Sequence, residues 1–412
     1  MTMTQTEPHF DIIVAGLGPA GLTAALAVAQ ATAARGSRVC AIGAPAAAGG
    51  LDTRTTALLG PSVALLEHLG VWPRCRLDAA PIDAIRLFDD TGRLLRAPDI
   101  TFHARELQAT KGGGRDPAPF GWNIPNARLT AALRWRAQAM ANLDIVETAG
   151  ISRILPDATQ VRIELAGGQA FDAPLLVGAD GRHSMCRAAA GIGTRLSEYP
   201  QTAIACNFAH TRPHDNVSTE FHRPSGPFTT VPLPDAGAGF RSSLVWVERP
   251  DEATRLMTLT EAAFACAMEA RLRGLLGQIR VAGPRTAFPL ARLSVSILAQ
   301  NRIALVGEAA HVLPPIGAQG LNLGFRDCAA LAECVAEAAT LGQDIGGPAV
   351  MDAYKNARRT DVWTRTAAID VLNRSLMSEL LPAQALRGLG LHLLNSIGPL
   401  RRAMMRAGMG QA

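Results

Sequence analysis

The chain is 412 residues long, with 40 Lys or Arg against 35 Asp or Glu for a net charge of +5, and 48% of it is hydrophobic. That much apolar sequence builds cores and excludes intrinsic disorder, and the length corresponds to about two to three domains. The positive excess is too slight for a dedicated nucleic-acid binder, whose basic residues form a dense patch.

Residues 10–15 carry an apolar run after Asp11, the pattern of a strand buried in a parallel sheet. The turn Gly16-Leu17-Gly18-Pro19-Ala20-Gly21 follows at once, then an Ala-rich helical stretch to residue 34 and a second strand over residues 38–42. In such a βαβ opening the first glycine permits the tight turn and the second lets backbone approach a pyrophosphate. The third lets helix and strand pack, with the helix N-terminus aimed at the phosphate. The acid that usually follows about 20 residues on, to hold a ribose hydroxyl, is missing, because the second strand ends Ile42-Gly43-Ala44.

Downstream, residues 82–88 and 93–95 read as a hairpin around Asp90-Thr91-Gly92, and residues 111–121 as a mobile Gly/Pro-rich loop. Residues 129–141 read as a helix, and residues 144–148, 161–165 and 175–178 as short strands. From 196 to 285 the pattern switches to strands at 202–208, 218–222, 228–233 and 240–247, followed by a helix over 259–276. That switch predicts a sheet-rich domain inserted into the first. Residues 301–306 return as a buried strand and the remainder is mainly helical. The expected division is a cofactor domain in three parts (1–80, 121–195 and 286–350), strands and a loop over 81–120, the sheet domain over 196–285, and C-terminal helices over 351–412.

Two segments carry chemistry. The strand at 175–178 runs into the Asp180-Gly181 turn. The later strand delivers Gly307-Glu308, helix-prone Ala309-Ala310-His311, and a rigid loop, Pro314-Pro315-Ile316-Gly317-Ala318-Gln319-Gly320, that leads into a helix near Leu321-Asn322. A carboxylate at a strand end accepts a hydrogen bond from a sugar or ribityl hydroxyl, and N–H groups at a helix start stabilise negative charge. His311, on an apolar helix start, is expected to be a packing residue rather than a catalyst. His210, His214 and His222 have a spacing that suits no familiar zinc site, so no metal is expected. The catalytic base is not identifiable.

In their order, Gly16-x-Gly18-x-x-Gly21, Asp180-Gly181 and the run from Gly307-Glu308 to Asn322 resemble the single-component FAD aromatic hydroxylases of the 4-hydroxybenzoate hydroxylase fold. Pro315 through Asp327, the stretch 226–233 and Arg54-Thr55-Thr56-Ala57-Leu58 are most similar to the ubiquinone-biosynthesis hydroxylases of that family, and the resemblance spans residues 10–410. It implies an α/β fold: a Rossmann-like FAD-binding domain, an inserted sheet-rich substrate domain and C-terminal helices. FAD would be held by Gly16, Gly18 and Gly21 at the pyrophosphate, by Asp180 and Gly181 at the phosphate or sugar, and by Gly307 and Glu308 at a sugar-like hydroxyl. Pro315, Gly317, Gln319, Gly320, Leu321 and Asn322 would line the isoalloxazine, and Arg54 would reach over it. The implied reaction hydroxylates the ring of a polyprenylated phenol or quinone precursor with O2 through a flavin C4a-hydroperoxide. Its electron donor would be NAD(P)H or a reductase, and other quinone-biosynthesis proteins are implied partners. Departures are Glu308 where most relatives have Asp, Pro314 for His and Ala318 for Gly; they bear on single contacts and regiospecificity.

Other readings stay open: hydroxylation of a soluble aromatic compound, or a catalytically silent flavoprotein scaffold. A flavin halogenase needs an active-site lysine, for which Lys111 in a Gly-rich loop and Lys355 in a late helix are poorly placed. Ring position, reductant and oligomeric state are not legible.

Seven cysteines without a CxxC pair predict reduced thiols and a cytoplasmic address. Glu7, His9 and Asp11 interrupt any signal-peptide core, and no apolar stretch is long enough to span a bilayer. Residues 380–412 hold Arg387, Arg401, Arg402 and Arg406 with no acid, among many Leu and Met. Such a tail suits either the inner face of an anionic membrane or a helix pair packed on the FAD domain.

Overall fold

The computed structural model describes residues 9–45, 52–92, 99–108, 118–237, 239–377 and 398–409. Its first layer is a six-stranded sheet ordered Ala299–Gln300, Ile303–Leu305, Leu175–Gly178, Ile12–Ala15, Val39–Gly43, Leu143–Glu147. All pairs but the first are parallel. The three central strands are buried almost throughout, as the apolar runs require when helices cover both faces. Helix Pro19–Thr32 is buried along most of its length and packs on helix Gln319–Thr340.

The second layer is a nine-stranded, mainly antiparallel sheet. Its backbone is Thr194–His210, flanked by Gly239–Glu248 and Thr286–Val295. Phe228–Ala236 and Val217–His222 continue it, and Val217–His222 then pairs in parallel with Ala84–Asp89. Helices Pro250–Thr258 and Glu261–Leu272 cover one face over a core of Phe208, Phe228, Trp246, Phe264 and Met268. A third, three-stranded sheet (Thr55–Leu59, Gly121–Pro125, Ala80–Ile82) stands between the layers.

Four local expectations move. The strand Ala84–Asp89 pairs with Ile100–His103; residues 93–95, like 111–117, lie outside the described residues. Gly121 opens a strand instead of closing a loop. The helix expected over 259–276 spans Glu261–Leu272, capped by Thr260, whose side chain accepts from the Ala263 N–H, and an unexpected helix, Pro250–Thr258, precedes it and ends at extended Leu259. The sheet also runs past residue 285, because Thr286–Val295 pairs with Thr194–His210 along its whole length.

Candidate active site

Three chain turns converge at the C-terminal edge of the first sheet. At Gly16 the backbone has φ +129°, and a Cβ there would meet the Ala179 carbonyl oxygen at 2.3 Å; at Gly21 it would meet the Gly16 oxygen at 2.1 Å. Both glycines are therefore demanded by packing. A Cβ at Gly18 would meet nothing within 4 Å. Helix Pro19–Thr32 begins there with no side-chain cap and no acid in its first turn. Its unpaired N–H groups face open space, which is the arrangement of an anion site. A side chain at Gly43 would strike the Leu17 nitrogen at 2.9 Å. The close pass of the glycine turn thus excludes the missing ribose acid sterically.

The Asp180 carboxylate works inward. Its Oδ1 accepts from Ser184 Oγ at 2.5 Å and its Oδ2 from the Cys186 N–H at 3.0 Å, which caps helix Met185–Ala189, while Gly181 takes φ +81° to turn the chain.

Gly307 takes φ +60° and starts a single 3-10 turn, Gly307–Ala309, that leaves Glu308 exposed. The expected helical run to His311 is absent, because His311–Val312 pairs instead with Leu293 and Ser294 at the edge of the second sheet. The Gly307 N–H donates to Asp327 Oδ2 at 3.1 Å, the same oxygen that lies 2.6 Å from His311 Nε2. Arg358 Nε donates to Asp327 Oδ1 at 2.8 Å, and its NH1 donates to Asp361 at 2.6 Å. Burial alone would push the Asp327 carboxyl up, but His311 and Arg358 outweigh it and hold the group below its ordinary value. An ionised Asp327 only accepts, so the His311 proton sits on Nε2.

The loop beyond carries Gly317 at φ +62° and Ala318 at φ +54°, and helix Gln319–Thr340 starts there with no side-chain cap. Pro315 is half-buried and Gly320 is exposed, with open space where a Cβ would stand. Leu321 packs on the main core. Two side chains expected at the cofactor ring are committed to protein. Asn322 bonds the Leu59 N–H, Ser62 Oγ and the Ala57 carbonyl, tying the loop to strand Thr55–Leu59. Gln319 donates to the Gly408 carbonyl at 3.1 Å and accepts from Arg365 NH1 at 3.1 Å. What this loop offers a cofactor is backbone N–H.

Arg54 is held by a two-bond ion pair with Asp52, Nε to Oδ1 at 2.8 Å and NH2 to Oδ2 at 2.9 Å. Its guanidinium is held above its ordinary range, first by that hydrogen bond and in part by the Glu308 charge, so Arg54 and Glu308 share one electrostatic neighbourhood. Asp52 was not singled out from the sequence, although it stands two residues before Arg54. Asn126, also missed, accepts from Thr56 Oγ1 at 2.6 Å. Across the cleft, Ser243 Oγ takes hydrogen bonds from Thr55 Oγ1 and Asn123 Nδ2, joining the three-stranded sheet to the second layer. Beside this seam lies an apolar cluster of Ile82, Ile100, Phe102, Phe120 and Met405, with Leu87 and Val231 against it.

The tail helix Gly398–Met409 supplies Met405 to that cluster. Arg401 is turned inward: it pairs with Glu106 at 2.7 Å, donates to the Thr101 carbonyl and stacks 4.5 Å from the Phe102 ring centre. Arg387 lies outside the described residues. No helix among the described residues is long and apolar enough to cross a membrane, and no group of three or more His, Cys, Asp or Glu among them is arranged to hold a metal ion.

The family described as FAD binding domain matches residues 9–368. The chain belongs to that family. It is 35% identical to ubiquinone hydroxylase UbiL of Rhodospirillum rubrum over 97% of this chain and 89% of that protein. It is 28% identical to 3-demethoxyubiquinol 3-hydroxylase of Escherichia coli over 87% of this chain and 88% of that protein. The fold matches p-nitrophenol 4-monooxygenase PnpA of Pseudomonas putida with a TM-score of 0.77 at 21% identity, covering 98% of this chain and 99% of that one. Within this family of flavin-dependent monooxygenases the cofactor is FAD, and two uncapped helix N-termini with open glycine approaches fit such a group.

Proposed function

We propose that the protein hydroxylates the aromatic ring of a polyprenylated phenol on the route to ubiquinone, using O2 and an external reductant. The observation that carries this reading is its similarity to a ubiquinone hydroxylase along 97% of its length. The apolar cluster around Phe102, Phe120 and Met405, beside the seam between the layers, suits a substrate with an isoprenoid chain.

When bound, FAD supplies the oxygen-activating redox chemistry. In this reading the chain's own residues do the positioning. The N–H groups of Gly18, Ala20 and Gly21 would hold the pyrophosphate at the start of helix Pro19–Thr32, and the open space at Gly18 would admit it. The uncapped start of helix Gln319–Thr340 would stabilise negative charge on the ring system through its dipole. Glu308 would accept from a sugar-like hydroxyl, and Arg54, aimed by Asp52, would reach over the ring. The second sheet would cover the ring and exclude water from it. Exposed Arg406 and Met404 on helix Gly398–Met409, with Arg402, form the contact with an anionic membrane surface where such a substrate resides.

The test is a quinone-precursor profile by mass spectrometry in a strain lacking this protein. The expected result is accumulation of a prenylated phenol short of one ring oxygen. An unchanged profile removes the ubiquinone assignment, and a purified protein that binds no FAD removes the flavin reading as well.

A further inference from the structure

One face of helix Pro348–Met377 and the extended segment 292–298 enclose a cavity of about 530 Å³ that shares no lining residue with the glycine turn or the Gly317–Asn322 loop. Volumes of this order are those of small-molecule sites. Its floor is Ala310, whose chain neighbour Ala309 belongs to the turn that presents Glu308.

The lining is rich in polar groups that the fold does not use. The side chains of Arg359 and Asn356 on the helix, and of Ser294 and Ser296 opposite, have no hydrogen-bond or ion-pair partner among the described residues. Lys355 stands one turn before Arg359 and, among the described residues, is held only by Asp352, a pair whose carboxylate is 65% exposed. Arg292 closes the far end, pinned to Asp370 at 3.0 Å. Beside these cations lies Trp363, 71% exposed although it is the largest apolar side chain on the helix.

We propose that this cavity is a second binding site, for a phosphate ester whose organic part is flat or apolar. A guanidinium fork, an ammonium and two hydroxyls present more donors than one carboxylate accepts, whereas a phosphate offers three oxygens to them. The Trp363 indole gives the organic part a surface to stack or rest on. A nucleotide and a phospholipid headgroup both carry this chemistry, and the test separates them.

The flavin-loaded full-length protein is titrated with ADP by calorimetry, and is co-sedimented with vesicles of phosphatidylcholine containing phosphatidylglycerol. Bound cofactor blocks the glycine turn, so ADP heat reports the cavity. Saturable ADP binding without vesicle binding assigns a free nucleotide; vesicle binding without ADP binding, measured with Arg402→Glu and Arg406→Glu in place to remove the tail contact, assigns a lipid headgroup. In either case Arg359→Glu and Lys355→Glu each weaken binding at least tenfold while flavin content stays unchanged, and Arg153→Glu, on a distant strand, changes it less than twofold. Absence of both kinds of binding, or binding that Arg359→Glu leaves intact, overturns the proposal.

Discussion

His311 Nε2 lies 2.6 Å from Asp327 Oδ2, and neither side chain is more than 1% exposed. The same carboxylate holds the Gly307 N–H and Arg358, so one buried charge joins the turn that presents Glu308, the edge of the second sheet and the long C-terminal helix.

Replacing Asp327 with Asn removes that charge and leaves Arg358, 4% exposed, to face Asp361 alone. The expected loss is about 3–5 kcal/mol, the usual cost of breaking a buried pair on one side. Chemical unfolding measures it, and released flavin fluorescence shows whether the Gly307 turn loosens with it.

The same pair sets an acid limit. Burial raises the Asp327 carboxyl, His311 and Arg358 lower it further, and the net folded-state value is depressed. A depressed carboxyl stabilises above its unfolded pKa of about 3.9 and loses that contribution as pH falls through the folded value. Stability of the native chain should therefore fall below pH ~4 more steeply than that of Asp327→Asn, in unfolding midpoints followed from pH 7 to 3.

The glycine turn separates packing from binding. Gly16→Ala forces a Cβ against the Ala179 carbonyl at positive φ, and overpacking of this kind costs about 1–3 kcal/mol. Gly18→Ala meets no protein atom within 4 Å, so thermal stability of the apoprotein should hold while FAD affinity falls about tenfold or more. Equal stability losses for the two would refute the distinction.

Arg401 anchors the tail helix through Glu106, the Thr101 carbonyl and the Phe102 ring. Arg401→Ala should cost about 1.5–3 kcal/mol, the range for hydrogen bonds to charged groups. Limited proteolysis should then cut near residues 398–409 faster than in the parent chain.

Thiol chemistry gives a simple census. Cys266 is exposed, Cys334 is intermediate and the other five are buried. Burial pushes Cys40, Cys75 and Cys206 up to about 12. A thiol reagent at pH 8 should modify one cysteine quickly in the native protein and all seven after unfolding.

The opening βαβ unit was legible because Ile12 to Ala15 and the spacing of Gly16, Gly18 and Gly21 encode it locally. The strands at 202–208 and 240–247 announced themselves by apolar and β-branched content, and the first was read short because its N-terminal part is largely exposed. What escaped was non-local. Asp327 closes a recognised run, yet its partners are 16 and 31 residues away, so spacing gave no hint of the pair. Arg401 looked like solvated tail charge because Glu106, its partner, lies 295 residues earlier. Gln319 and Asn322 sit in a run that resembles a cofactor motif, and only the tertiary fold turns their side chains to protein.

The 17-residue strand Thr194–His210 leaves the end of the first layer and runs unbroken to the far side of the second, with Thr286–Val295 beside it for the return. The second layer is thus stitched in, not inserted through a flexible neck. A chimera that exchanges this layer between relatives should be cut at the turns near 212–216 and 273–278, which lie beyond the shared ladder. Cuts at 195 or 285 would sever the strands that register one layer on the other.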